Sequence, residues 1–334
     1  MLQVLCVGEA LVDRLGPAGI DPALASADQC IDRLGGAPAN VACALARLGT
    51  SAAFVGRLGT DAIGTAFRAL FAERLVNTAG LQWDPQRPSR IVLVQRDASG
   101  ERSFGGFAGD QGAGFADQAL DAGELADPLA GLLDQLTPDG PAWLLTGTIA
   151  LASAASAEAL ALLLERSRAR DVRLAVDVNW RPTFWDPELA PEAPPTAAAR
   201  ACIWPLLEQA DLLKCAAEEA QWLFGSTDPA EVATALQRRP DVLITDGPRP
   251  LRWWVAGGSG QRSPFAVAVV DTTGAGDALT AGLLHGLCAH PEWPLEQRMA
   301  FAAACGALVC QGAGAIDPQP SEAEVLAFMA AQAG

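Results

Sequence analysis

Apolar residues recur along this chain at two alternating periods. "LQVLCVG" near the start is a continuous apolar run ending in glycine, the pattern of a strand buried on both faces. "GGAPANVACALARLG" (35–49) reads as a glycine turn followed by helical spacing at Val41, Ala44, Leu45 and Leu48, closed by Gly49. "AAFVGRLG" predicts a second strand and "DAIGTAFRALFAERL" a helix begun by Asp61. Farther on, "AWLLTGTI", "RLAVDVN", "ADLLKC" and "DVLITDG" read as strands. The helical runs "SAEALALLLERSRAR" and "AEEAQWLFG" and a proline-rich loop, "RPTFWDPELAPEAPP", fall between them. Repeated strand-then-helix units imply an α/β fold with a mainly parallel central sheet and helices on both faces. "RIVLVQRDASGERSFGGFAG" breaks the rhythm: two strand-like runs joined by "DASG" predict a hairpin and a small β flap.

In open parallel sheets ligands bind outside the carboxyl ends of the strands. The loops after "VLCVG", "VDVN", "LLKC", "ITDG" and "VVDTT" are therefore where chemistry is expected, the β-branched run before Asp271 being read as one more strand. There are no internal repeats and no linker long enough to divide 334 residues, so residues 1–334 read as one domain.

Charge narrows the partners. A formal net charge of −16, with 23 Lys and Arg scattered among 39 acids, argues against nucleic acid or an anionic membrane. No stretch of about 18 apolar residues exists to span a bilayer, and the start lacks a basic leader, so a soluble, cytoplasmic protein is expected. Eight cysteines form no CxxC pair. His285 and His290 are the only histidines, which excludes a multi-histidine metal site on this reading, and His285 reads as a packed or surface residue and no ligand.

The candidate chemistry concentrates in "VVDTTGAGDALTAGLLHGL" (269–287). Gly274, Ala275 and Gly276 can present successive amides where a helix begins, which suits an anion. Asp277 beside them is either a helix cap or a base that takes a proton from a nucleophilic hydroxyl. A dinucleotide-binding dehydrogenase fails on position, because the first strand ends "VGEALVD" without GxGxxG.

"DTTGAGDALTAGLL" and "GGAPANVACALARLG" closely resemble the C-terminal and N-terminal signatures of the PfkB carbohydrate kinases, the ribokinase-like family. "GEALVD", "DVNWRPTFW" and "AACGALVCQGAGAI" are similar to further family segments, so the resemblance spans the chain and lies nearest the fructokinase-like branch. It implies a three-layer ribokinase-like fold with lid segments at about 13–34 and 85–108. It also implies transfer of the γ-phosphate of ATP to a primary sugar hydroxyl, with Mg²⁺ held mainly through nucleotide phosphates and water. Asp277 would be the general base, and the amides of Gly274, Ala275, Gly276 and Asp277 the anion hole. Asp13, Gly35, Gly36, Asn40, Asn179 and Arg181 would meet the sugar, with Arg90 at the start of the flap; Arg181 reads equally as a structural ion pair. Lys214, Thr245, Gly247, Gly306 and Gly314 would lie on the nucleotide side. The resemblance leaves room for a monovalent cation and for a homodimer joined through the flaps.

Three positions depart from the family pattern. Ala217 stands where an acid often supports the metal–water network, with Glu218 and Glu219 next in line. Ala303 replaces an asparagine on the nucleotide side. The flap reads "GERSFGGFAGD", with Phe107 and Ala108 where a family arginine would follow an aromatic residue. That weakens fructose as acceptor more than it weakens kinase activity. Another sugar, a nucleoside, and a silent sugar- or nucleotide-binding protein are the competing readings.

Overall fold

Val4–Val7 is buried at every residue, and its side chains alternate between two cores. Val4 and Cys6 face one and Leu5 and Val7 the other, as a strand sandwiched between two helical layers requires. The computed structural model describes residues 1–17, 20, 22–96, 102–108, 114–137 and 140–332. The first half runs β1 (Val4–Val7), β2 (Leu11–Leu15), β3 (Ile31–Gly35), α1 (Ala37–Leu48), β4 (Ala52–Gly59), α2 (Ala62–Glu73), β5 (Asn77–Asp84), β6 (Ile91–Arg96) and β7 (Arg102–Ala108). Next come α3 (Ala122–Asp134), β8 (Trp143–Gly147), α4 (Ala154–Arg168), β9 (Arg173–Asp177), α5 (Pro182–Trp185), α6 (Ala197–Leu207) and β10 (Leu212–Ala216). The chain finishes with α7 (Ala217–Phe224), α8 (Pro229–Ala235), β11 (Asp241–Thr245), β12 (Leu251–Val255), β13 (Gly258–Arg262), α9 (Ala275–Cys288), α10 (Leu295–Val309) and α11 (Glu322–Gln332).

Nine strands form the main sheet in the order β13-β12-β11-β10-β9-β8-β1-β4-β5, parallel from β11 through β5 and antiparallel at the β12–β13 edge. Helices α1, α9 and α10 pack on one face and α3, α4, α6 and α7 on the other. From β1 the chain turns one way to β4 and β5 and later the other way to β8, β9, β10 and β11. The order reverses at β1, so the crevice at its carboxyl end is where a ligand should sit.

A second sheet, β3-β2-β6-β7, stands apart from the first. β2 and β3 pair antiparallel, β2 and β6 parallel, and β6 and β7 antiparallel as the hairpin pattern predicts; the expected "DASG" turn lies outside the described residues. Leu11, Val92 and Phe107 anchor this sheet to Ile149 and Phe184 of the main body.

One element differs from expectation. The run before Asp271 forms no strand: Val269 and Val270 are 61% and 65% exposed. The amides of Val270 and Asp271 instead donate to the Cys310 carbonyl, so the chain is pinned to the end of α10 and never reaches a sheet edge. The β-branched run follows strand propensity, but among the described residues no partner strand pairs with it.

Candidate active site

Gly274 has φ +77°, a left-handed conformation that glycine alone adopts without steric cost, and it caps α9. A Cβ there would fall 2.5 Å from the Ala315 Cβ, so glycine is required on two counts. Asp271 fixes the turn from outside, accepting from the Thr273 amide and hydroxyl through one oxygen and from the Gly314 amide through the other. The Ala275 amide is turned back onto the Thr272 carbonyl at 3.2 Å, so it is not free for an anion as expected. The amides of Gly276 and Asp277 begin the helix and lack intrahelical acceptors, with the positive end of the dipole behind them.

Gly36 performs the matching task on the opposite wall. Its φ of +100° brings the start of α1 so close to the chain just after β1 that a Cβ would sit 2.6 Å from the Glu9 carbonyl. This close approach sets Asn40, one turn into α1, against the start of α9. Asn40 Nδ2 donates to Asp277 Oδ2 at 2.7 Å, joining residues 237 apart in sequence. The Asn40 side-chain oxygen is buried and unpartnered among the described residues.

Between these walls lies a cleft of about 590 Å³. Glu9, Asp13, Gly36 and Asn40 line one side, and Lys214, Asp271, Gly274, Gly276 and Asp277 the other. Asn179 and Arg181 close one end, and Leu11, Leu15, Val92 and Val94 of the small sheet cover it. A larger cavity, about 800 Å³, opens at the amino ends of the strands beside Pro141, Arg173 and Arg298, and holds none of the motif residues.

The charges of the cleft act on Asp277. Burial, and then the nearby Asp177 carboxylate, push its pKa from the ordinary 3.8 to about 6, while Asn40, Lys214 and Arg181 oppose the rise. A carboxylate so poised is ionised at neutral pH, yet is a better proton acceptor than an ordinary one. Lys214 donates to both Asp177 oxygens at 3.0 Å. Burial works against the ammonium charge, but Asp177, Glu219 and Asp277 hold its pKa above the ordinary value. Its Nζ would lie 3.0 Å from a Cβ on Gly276, which puts the cation at the first turn of α9.

Of the other expected site residues, Gly35 lies beside Asp13, opposite Leu11 in the small sheet. Gly306 lies under α9, where a Cβ would meet the Ala275 carbonyl at 2.9 Å, and Gly314 belongs to the Asp271 brace. Thr245 ends β11, and Gly247 (φ +55°) turns the chain after it; neither lines this cleft. Arg90 does not line it either. Its guanidinium makes a paired contact with Asp117 at 2.8 and 3.0 Å, both side chains almost wholly buried, among the rings of Phe107, Phe115 and Phe184. At the first departure, Glu218 is exposed, and both Glu219 oxygens are taken at 2.7 Å by the amides of Trp180 and Ala216. Glu219 thus braces the loop after β9 against α7.

Three cleft or near-cleft acids escaped the sequence reading. Glu9 accepts from the Ala37 amide at 3.0 Å, and burial carries its pKa to about 8. Asp177 and Asp271 are the others; the signal for each is an acid set directly against an apolar run, in "VGEA", "AVDV" and "VVDT".

A base held by an asparagine from the facing wall, beside two amides at the start of its own helix, defines with this fold a phosphotransferase of the carbohydrate-kinase class. The chain belongs to the pfkB family of carbohydrate kinases, whose pattern matches residues 1–322. It is 31% identical over 334 residues to a fructokinase of Oryza sativa subsp. japonica, covering 98% of this chain and 97% of that protein. Identity to a Vibrio alginolyticus fructokinase is 30% over 336 residues, covering 98% and 99%. The crystal structure of a fructokinase with bound ATP from Xylella fastidiosa superposes with a TM-score of 0.79 at 29% identity, covering 99% of both chains.

Proposed function

We propose that this chain transfers the γ-phosphate of ATP to a primary hydroxyl of a fructose-class sugar. The observation that carries the proposal is Asp277, held by Asn40 at the start of α9 with its proton affinity raised into the range of a working base. In the proposed reaction the sugar lies under the small sheet, against Asp13, Gly36 and Asn40, with its hydroxyl directed at Asp277. The carboxylate takes the proton as the oxygen attacks phosphorus, while the amides of Gly276 and Asp277 and the α9 dipole steady the transferring group. Lys214 on that wall and Arg181 at the end of the cleft supply positive charge. The unpartnered Asn40 oxygen suits a sugar hydroxyl as donor. The fructokinase relatives support the acceptor class, and the ATP-bound structure supports the donor.

Magnesium supplies charge neutralisation on the phosphates when bound. The donor set fits an ion carried on nucleotide phosphates and water: Asp177 is committed to Lys214, and Glu219 to two backbone amides. The test is ADP release with Mg-ATP across a panel of ketohexoses, aldohexoses, pentoses and nucleosides. Fructose should give the highest kcat/KM; a nucleoside preference, or no release with any acceptor, would overturn the proposal.

A further inference from the structure

The only two histidines of the chain meet at the end of α9 away from Asp277. His285 lies on the last turn of α9, eight residues or about 12 Å of helix beyond the base. His290 follows in the loop to α10, with its ring 5.3 Å from that of His285 between centroids. Glu322, the first residue of α11, reaches both: its carboxylate is 2.7 Å from His290 Nε2 and 3.8 Å from His285 Nε2. One ligand atom from each of the three lies within 4.8 Å of the other two.

Each imidazole is held so that Nε2 points into the cluster. His285 Nδ1 is 2.8 Å from the buried Thr50 hydroxyl, and its ring stacks on Phe301. His290 Nδ1 faces Glu292, and its ring lies flat on Trp293 at 3.9 Å. A polar acceptor on the far nitrogen is the outer support that metal-binding histidines use to fix ring and tautomer. His285 Nε2 is buried, aimed at Glu322 and without a hydrogen-bond partner among the described residues. A buried polar nitrogen left so needs an explanation, and an ion is one.

We infer that His285, His290 and Glu322 form a divalent metal site of the zinc class, with a fourth position open to water. Two imidazoles and one carboxylate are a familiar zinc donor set. Bonds of about 2.0–2.1 Å set tetrahedral ligand atoms roughly 3.4 Å apart, so the present spacing needs only small side-chain adjustments. The bound ion replaces the direct His290–Glu322 contact and gives His285 Nε2 its partner. It ties the end of α9, the α9–α10 loop and the start of α11 together. The sequence reading counts histidines alone, whereas the third donor of this cluster comes from a helix 32 residues beyond His290.

The experiment titrates untagged, chelator-treated full chain with Zn²⁺, by calorimetry and by competition with a chromophoric chelator. One ion per chain is expected, with a rise in Tm on binding. His290→Ala and Glu322→Gln should each weaken binding at least tenfold and abolish the rise, and Thr50→Val should weaken it roughly 10- to 100-fold. Glu322 begins a surface helix, so Glu322→Gln keeps the test valid should His290→Ala misfold. Absence of stoichiometric binding, or binding unchanged in the folded variants, would overturn the inference.

Discussion

Replacing Asp277 by Asn should make the protein more stable and nearly inactive at once. The side chain keeps its size and can still meet Asn40, so packing is preserved. What changes is a charge held where burial and Asp177 disfavour it, with a pKa of about 6 against an ordinary 3.8. That rise of about two pH units, at ~1.36 kcal/mol each, is roughly 3 kcal/mol of strain in the folded state. Because the carboxylate borders the cleft, solvent lowers the figure to on the order of 1–3 kcal/mol. The sign follows from proton counting. Between the two pKa values the folded chain keeps a proton that the unfolded chain has lost, so stability falls as pH rises through that window and stays lower above it. Asp277→Asn removes this cost, so its Tm should exceed the parent's by a few degrees at neutral pH and match it near pH 4. Loss of a general base costs ~10²–10⁴ in kcat. In the parent, kcat/KM should fall tenfold per pH unit below about 6; the variant should lack that limb, with both KM values little changed. Thermal melts and ADP-release kinetics from about pH 4 to pH 8 measure both effects. Turnover within tenfold of the parent, or a variant less stable at neutral pH, would refute the assignment.

Asn40→Ala removes the 2.7 Å donor to Asp277, so the acid limb of the pH profile should move to higher pH; an unmoved limb would show that the bond does not tune the base. Lys214→Met should move the limb the same way and destabilise by about 3–5 kcal/mol, because Asp177 is left buried and unpaired; denaturant melts measure the second effect. Gly274→Ala combines a left-handed φ with a backbone clash at Ala315, whereas Gly276→Ala meets only the movable end of Lys214. The first should lower both Tm and kcat markedly, and the second should fold nearly normally, as melts and turnover will report. Arg90→Met strands Asp117 in a dry site, so about 3–5 kcal/mol of stability should go while sugar KM holds in the protein that folds. A raised KM at unchanged Tm would restore Arg90 to the substrate side.

The division between what was legible in the sequence and what was not follows the range of the forces. Gly36 and Gly274 were readable because each answers a local demand, a left-handed turn against a neighbouring backbone, that no other residue meets cheaply. The alternation of β1, β8, β9 and β10 with helices was readable because burial on both faces leaves unbroken apolar runs. β5 escaped notice because its first residues are half-exposed or exposed, and α6 carries an internal proline, so neither shows a clean period. The brace around the base is a different case. Arg90 pairs with Asp117 across 27 residues, Lys214 with Asp177 across 37, and Asn40 with Asp277 across 237. Which partner a buried charge takes depends on where the topology returns the chain, and no spacing encodes that. The same argument explains the misread strand before Asp271: its propensity was real, but only the fold decides whether a sheet edge is within reach. Motif glycines therefore locate this site in the sequence, while the proton affinity of its base is set by distant residues that the sheet order brings together.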